Sequence, residues 1–167
     1  MEDIGCVLDC FSDSVLALKM SIDTSRFTLI GHSLGGGLAL IKGAQDSRVK
    51  KIIALSASNF GYKWKKITTV DSLQGFQNYI RSSFQLNCNP KEFVQEIIDH
   101  KAEYDVLTYT QELETKKVLI IDDYDRSNKW PGQLRKPIEY KIIKSDHSYT
   151  NKRKELSGYI SAWLNKN

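Results

Sequence analysis

The stretch Phe27-Thr-Leu-Ile-Gly-His-Ser-Leu-Gly-Gly-Gly37 runs from four strand-forming residues straight into a Gly-x-Ser-x-Gly turn. Read physically, it is a β-strand, one sharp corner carrying Ser33, and a helix that begins near Leu34. A serine within a regular helix or strand is a weak nucleophile. One held at the tip of a strained strand-to-helix turn projects its hydroxyl into open space, where a base can reach it. Gly31 and Gly35 stand two residues to either side of the serine, where side chains are expected to collide as the backbone folds back on itself. The Leu34 amide and the helix N-terminus point toward any negative oxygen forming beside Ser33.

Working outward, residues 3–19 place Ile4, Val7, Leu8, Phe11, Val15 and Leu18 at helical spacing, which predicts one amphipathic helix ahead of the elbow strand. Ile22 to Arg26 is a turn, and Arg26 to Ile30 reads as a buried strand. Small and apolar residues fill the following helix from Leu34 to Ala44. A second strand follows at Val49–Ser56, nearly all apolar from Ile52 to Leu55, as a strand covered on both faces should be. From Ala57 to Lys116 no strand is evident. Phe60, Tyr62 and Trp64 form an aromatic, basic loop suited to lining an acyl pocket or to packing in a core. Asp71 is placed to cap a helix carrying Leu73, Phe76, Ile80 and Phe84. Asn89-Pro90 reads as a cap with proline at the first helical position, and a short helical piece is expected over Tyr104–Leu113. Two further strands fall at Lys117–Ile121 and Ile138–Ile143, and a last amphipathic helix carries Leu156, Ile160, Trp163 and Leu164.

This alternation predicts an α/β fold: a parallel sheet with helices on both faces, and a helical insertion over residues 58–115 between the second and third strands. The insertion is longer than a simple crossover needs, and the excess is expected to cap the site. The 167 residues suffice for one domain with a real core. A net charge of +4, from 24 basic and 20 acidic residues, is modest and dispersed, which argues against nucleic acid as a partner. Cys6, Cys10 and Cys88 make neither a CxxC pair nor an even disulfide set, so they are expected as reduced, buried or half-buried thiols in a cytoplasmic setting. The apolar runs are far shorter than the ~20 residues of a membrane span, and nothing in the pattern calls for a metal or cofactor.

Acyl transfer through serine needs a base to take its proton and a carboxylate to orient that base. In an open parallel sheet these groups belong at the carboxyl ends of the strands. Ser33 follows the first strand; Asp122, Asp123 and Asp125 follow the third; His147 follows the fourth. With this order on the page, the chain resembles the α/β-hydrolase superfamily, in particular its esterase-like and serine-peptidase-like members. Gly31–Gly36 resembles the nucleophile elbow, Lys117–Asp125 the acid-bearing strand and loop, and His147 the catalytic histidine. The resemblance implies a Ser33–His147–Asp125 triad, because the family's carboxylate usually lies a few residues past its strand; Asp122 and Asp123 remain the other candidates. It also implies an oxyanion contact from the Leu34 amide and hydrolysis of a small ester or amide substrate through an acyl-enzyme. His32 is expected to pack beside the elbow, His100 to be solvated, and Asp146 to be a solvated neighbour of the base.

Members of that superfamily carry further strands ahead of the elbow strand, and the loop after the third of them supplies a second oxyanion amide. Here a helix stands in that place, so the sequence is expected to form the C-terminal part of the fold, incomplete at its N-terminal side. The elbow strand would then have an open apolar edge, to be covered by a preceding segment or by self-association. A catalytically weak module that binds a partner through that edge is the other reading of the same residues.

Overall fold

The computed structural model describes residues 2–65, 69–83, 86–123, 129–135 and 138–166. Four strands, β1 (Phe27–His32), β2 (Val49–Leu55), β3 (Lys117–Asp123) and β4 (Ile138–Ile143), form one parallel sheet in the order β1-β2-β3-β4. Each strand follows the last across the sheet, as helical crossovers in an α/β fold allow. Ile30, Ile53 and Leu119 stand level across the first three strands, and Ile121 lies beside Lys141 on the fourth.

The two faces are covered by different helices. Before the sheet come α1 (Glu2–Ser12) and α2 (Ser14–Met20), and α3 (Leu34–Gln45) follows β1. α3 lies on the face carrying Ile52. Gly43 meets that side chain so closely that an added Cβ would stand 2.6 Å from Ile52 Cδ1. The opposite face carries Ile53, Leu55, Leu119, Ile121 and Ile143, which pack with Leu156, Tyr159, Ile160, Trp163 and Leu164 of the last helix, Arg153–Leu164. Helices therefore flank both faces, as the alternating pattern predicts.

A run of further helices lies between β2 and β3. Asn59–Thr108 is a compact unit of its own. It contains α4 (Phe60–Trp64), α5 (Val70–Ser82) and α6 (Pro90–Asp99), so the expected aromatic loop is in fact a short helix. Trp64, Val94 and Ile97 form its core with Phe60, Leu73, Phe76 and Phe93 around them. Phe60 and Trp64 thus serve packing, with the Trp64 and Phe76 rings edge to face at 5.2 Å. At the neck of this unit Asp105 is fully buried. It accepts from Asn59 Nδ2 at 2.8 Å and pairs with Lys65 Nζ at 2.7 Å. After a 3-10 turn at Val106–Tyr109, the short α7 (Thr110–Leu113) leads into β3, and the last helix is α8 (Arg153–Leu164).

Several sequence expectations are corrected. The first helix is two helices, because Asp13 leaves helical geometry and its carboxylate accepts from the Val15 and Leu16 amides, capping α2. The apolar face expected there is largely exposed: of the residues expected on it, Leu8 is buried, while Val7, Val15 and Leu18 face solvent. β1 is not a buried strand. It is one of the two edges of the described sheet, its burial alternates, and Ile30 is 52% exposed, because α8 packs against β2, β3 and β4 and leaves that face of β1 uncovered. Thr69, not Asp71, caps α5, its hydroxyl accepting from the Ser72 amide; Phe84 lies outside the described residues. Cys6, Cys10 and Cys88 are exposed, because α1 turns that side outward and Cys88 precedes α6 in a loop.

Candidate active site

The elbow is built by backbone contacts. Ser33 has φ 56° and ψ −117°, a positive-φ conformation outside the usual allowed regions that a non-glycine residue adopts only when its surroundings impose it. The imposing bonds are explicit. Ser33 N–H donates to the Leu55 carbonyl at 2.8 Å, and the Ser33 carbonyl accepts from the Ser58 amide at 2.9 Å. Gly31 is required by close approach: a Cβ there would stand 2.1 Å from the Gly35 carbonyl oxygen. Gly37 is required in the same way, 2.0 Å from the Ser58 carbonyl oxygen. Gly35 corrects the expectation, since a Cβ on it meets nothing within 4 Å; the crowding lies on the strand side of the turn and along the helix, not beside the serine.

Ser33 is the N-cap residue of α3, yet its side chain makes no capping bond. The hydroxyl lies instead 3.0 Å from His147 Nε2. The other ring nitrogen, Nδ1, lies 3.1 Å from Asp123 Oδ2. The carboxylate can only accept, so the partners assign the imidazole proton to Nδ1 and leave Nε2 to accept from the serine hydroxyl. Asp123 is buried to 1% exposure at the end of β3, while the His147 side chain remains 41% exposed. A buried carboxylate is tolerated where it is paired, and here its partner is the imidazole. The Leu34 and Gly35 amides open α3 beside the serine, among the N–H groups that a helix start leaves without intrahelical partners.

The structure places Ser33, Leu34 and His147, each singled out in the sequence, beside one another, with Asp123 as the carboxylate next to the imidazole. Asp125 lies outside the described residues. β3 runs two residues beyond the expected Ile121, because β4 continues to pair with it at Asp122 and Asp123 after β2 has ended. That extension puts a carboxylate on the strand's last residue. Asp122, on the opposite face, accepts from the Tyr140 hydroxyl at 2.9 Å, and burial, reinforced by this carboxylate, pushes the Tyr140 phenol well above its ordinary range. His32 does more than pack. Its Nε2 lies 2.8 Å from the His147 carbonyl, and the two rings stand 4.6 Å apart. His100 caps α6, and its Nδ1 lies 2.9 Å from Glu103 Oε1; that contact, with Glu96, raises its pKa. Asp146 accepts from the Ser148 and Thr150 amides and so shapes the turn that presents His147. Sequence reasoning missed Tyr149 and Ser56, whose hydroxyls meet in the buried core behind His147 at 2.8 Å. The aromatic two residues past the histidine was the available signal.

The sequence model of the family described as platelet-activating factor acetylhydrolase, isoform II, matches residues 5–117. The chain belongs to that family. As a member it is an α/β-hydrolase in fold, and the matched segment includes Ser33 and ends at the first residue of β3. A cutinase of Thermobifida alba is 29% identical over 90 residues, which make up 53% of this chain and 30% of the cutinase. An esterase of Pyrococcus furiosus superposes with a TM-score of 0.60 at 14% identity, over 98% of this chain and 60% of that one. The S-formylglutathione hydrolase of Staphylococcus aureus superposes with a TM-score of 0.58 at 17% identity, over 93% and 64% respectively. The chain spans less than two thirds of the length of each of these three relatives. No helix among the described residues is long and apolar enough to cross a membrane, and no group of three or more His, Cys, Asp or Glu side chains gathers among them as a metal site.

Proposed function

We propose that this acetylhydrolase-family chain carries the acyl-transfer centre of a serine carboxylesterase. The observation that carries the reading is the imidazole of His147 standing 3.0 Å from Ser33 Oγ on one side and 3.1 Å from Asp123 on the other. His147 Nε2 takes the hydroxyl proton as Oγ attacks the ester carbonyl. Asp123 holds the ring and stabilises the imidazolium that forms. The tetrahedral oxygen accepts from the Leu34 amide, where the α3 N-terminus favours negative charge. The imidazolium then gives its proton to the departing alkoxide, and water, deprotonated by His147, releases the acid from Ser33.

Esters are favoured over amides because the family is described as an acetylhydrolase and the similar proteins include a cutinase and an esterase. A short acyl ester such as p-nitrophenyl acetate is the substrate of choice for a first assay. The test is covalent labelling by a fluorophosphonate probe, read by mass spectrometry. The modification is expected on Ser33 and is expected to vanish in Ser33→Ala. Labelling that persists in Ser33→Ala, or an unreactive wild-type protein, would sink the proposal.

A further inference from the structure

Tyr149 and Ser56 take no part in the chemistry just described, yet they occupy the point where the strand ends that bear it converge. Tyr149 lies two residues past His147 and has φ 53°, an unusual conformation for an aromatic residue. Its ring is buried to 2% exposure. Its hydroxyl donates to the Ile121 carbonyl at 2.8 Å and accepts from Ser56 Oγ at 2.8 Å. Ser56 is fully buried, also has positive φ at 43°, and its amide donates to the same Ile121 carbonyl at 2.7 Å. Ile121 stands two residues before Asp123, and Ser56 directly follows Leu55, whose carbonyl holds the Ser33 amide. One phenolic hydroxyl therefore links the His147 turn to the backbone that positions Asp123 and to the strand end that clamps Ser33. Packing alone would need the ring but not the hydroxyl. Two residues in left-handed conformations, held where their polar atoms meet, argue for the hydrogen bonds themselves.

We propose that Tyr149, through Ser56 and the Ile121 carbonyl, is a positioning residue that fixes the His147 imidazole between Ser33 and Asp123. This rests on the reading of Ser33 as nucleophile and extends it. Burial pushes the Tyr149 phenol above its ordinary pKa, so the hydroxyl stays protonated and keeps donating at neutral pH. Neither residue touches the reacting atoms. From the other side, the contact of His32 with the His147 carbonyl completes the support of the turn. Partners that orient a metal-bound histidine from outside are worth roughly 10–100-fold, and a loss at the lower end of that range is expected for this histidine, whose ring nitrogens face a serine and a carboxylate instead.

The test uses the full chain with Tyr149→Phe, which keeps the ring and removes the hydroxyl, and Ser56→Ala as a second variant should the first fold poorly. With p-nitrophenyl acetate, kcat is expected to fall about tenfold while KM stays put. The double variant is expected to lose no more than Tyr149→Phe alone, because both changes break one network. A second readout does not depend on turnover: the downfield Nδ1–H proton resonance of His147 is expected to broaden or vanish in Tyr149→Phe. If wild-type protein turns over and Tyr149→Phe keeps both its kcat and that resonance, the positioning role is overturned while the esterase reading stands. If wild-type protein is inert, the esterase reading fails, and the resonance alone decides: its loss in the variant supports the positioning role and its persistence refutes it.

Discussion

β3 and β1 deliver the carboxylate and the serine to the same rim of one sheet from opposite surroundings. Every residue of β3 from Val118 to Asp123 is buried, and from Val118 to Ile121 the strand is paired on both edges. β1 alternates between half-buried and exposed, has one paired edge within the described sheet, and shows Ile30 to solvent. Yet the serine too is fixed by explicit contacts. The contrast separates two ways of fixing a functional group. Asp123 is positioned by the burial of the strand that carries it. Ser33 is positioned by its turn, through the Leu55 and Ser58 backbone bonds and the Gly31–Gly35 contact, and owes little to the packing of β1.

The contrast can be broken most forcefully at the acid. Asp123→Asn would leave the fold but present the wrong tautomer at His147, and kcat for p-nitrophenyl acetate is expected to fall by on the order of 10³–10⁴. Asp125→Asn is expected to cost far less; a larger loss there would move the acid off the buried strand and undo the comparison. The next largest effect is on stability. Ile120→Ala, at a fully buried position of β3, is expected to lower the unfolding free energy by about 2–5 kcal/mol in urea titrations. Ile30→Ala on β1 is expected to cost under about 0.5 kcal/mol. Equal losses would mean that the outer face of β1 is covered in solution.

The smallest effect concerns how β1 is fastened to the rest of the sheet. Arg48 hydrogen-bonds Asp46 through Nε and Nη2 at 2.9 and 2.7 Å, and its carbonyl accepts from the Phe27 amide at the start of β1. The side-chain bonds of Arg48 hold the Asp46 carboxyl down at about 2, below the ordinary 3.8. A depressed carboxyl adds stability above its unfolded pKa and loses it as the pH falls toward the folded one. The difference in Tm between wild type and Arg48→Met is therefore expected to be constant above about pH 5 and to shrink between roughly pH 4 and 2. Asp23, likewise held near 2 by Ser25, is common to both proteins and cancels. A difference that does not change with pH would assign the Arg48 contribution to packing.

Much of this arrangement was legible in the residues. β2 was readable to within one residue, because buried parallel strands are written as apolar runs, and the bounds expected for β4, Ile138–Ile143, match the observed strand although it is half-exposed. The elbow was legible because its glycines and serine serve one local geometry. The cover of β1 and the end of β3 were not. The apolar run of β1 does not say which neighbours cover it, since burial belongs to the assembled sheet. Asp122, Asp123 and Asp125 look alike in sequence, and the choice between them turns on how far β4 prolongs β3, a property of the partner strand. Asp13 hid within an apolar helical period that runs on past it, and only its capping bonds reveal the break. Tyr149 was passed over because a phenol reads as core until its hydroxyl partners are seen.

The buried clasp of Asn59 and Asp105 joins residues 46 positions apart in the chain. A loop sealed at its base meets the entropic cost of bringing its ends together at that one point, and this cost grows only with the logarithm of length, by about 0.6 kcal/mol for each doubling. The helical unit between β2 and β3 is thus a part of the molecule whose size can change cheaply so long as its two-residue knot is kept. Chain length and fold are uncoupled there.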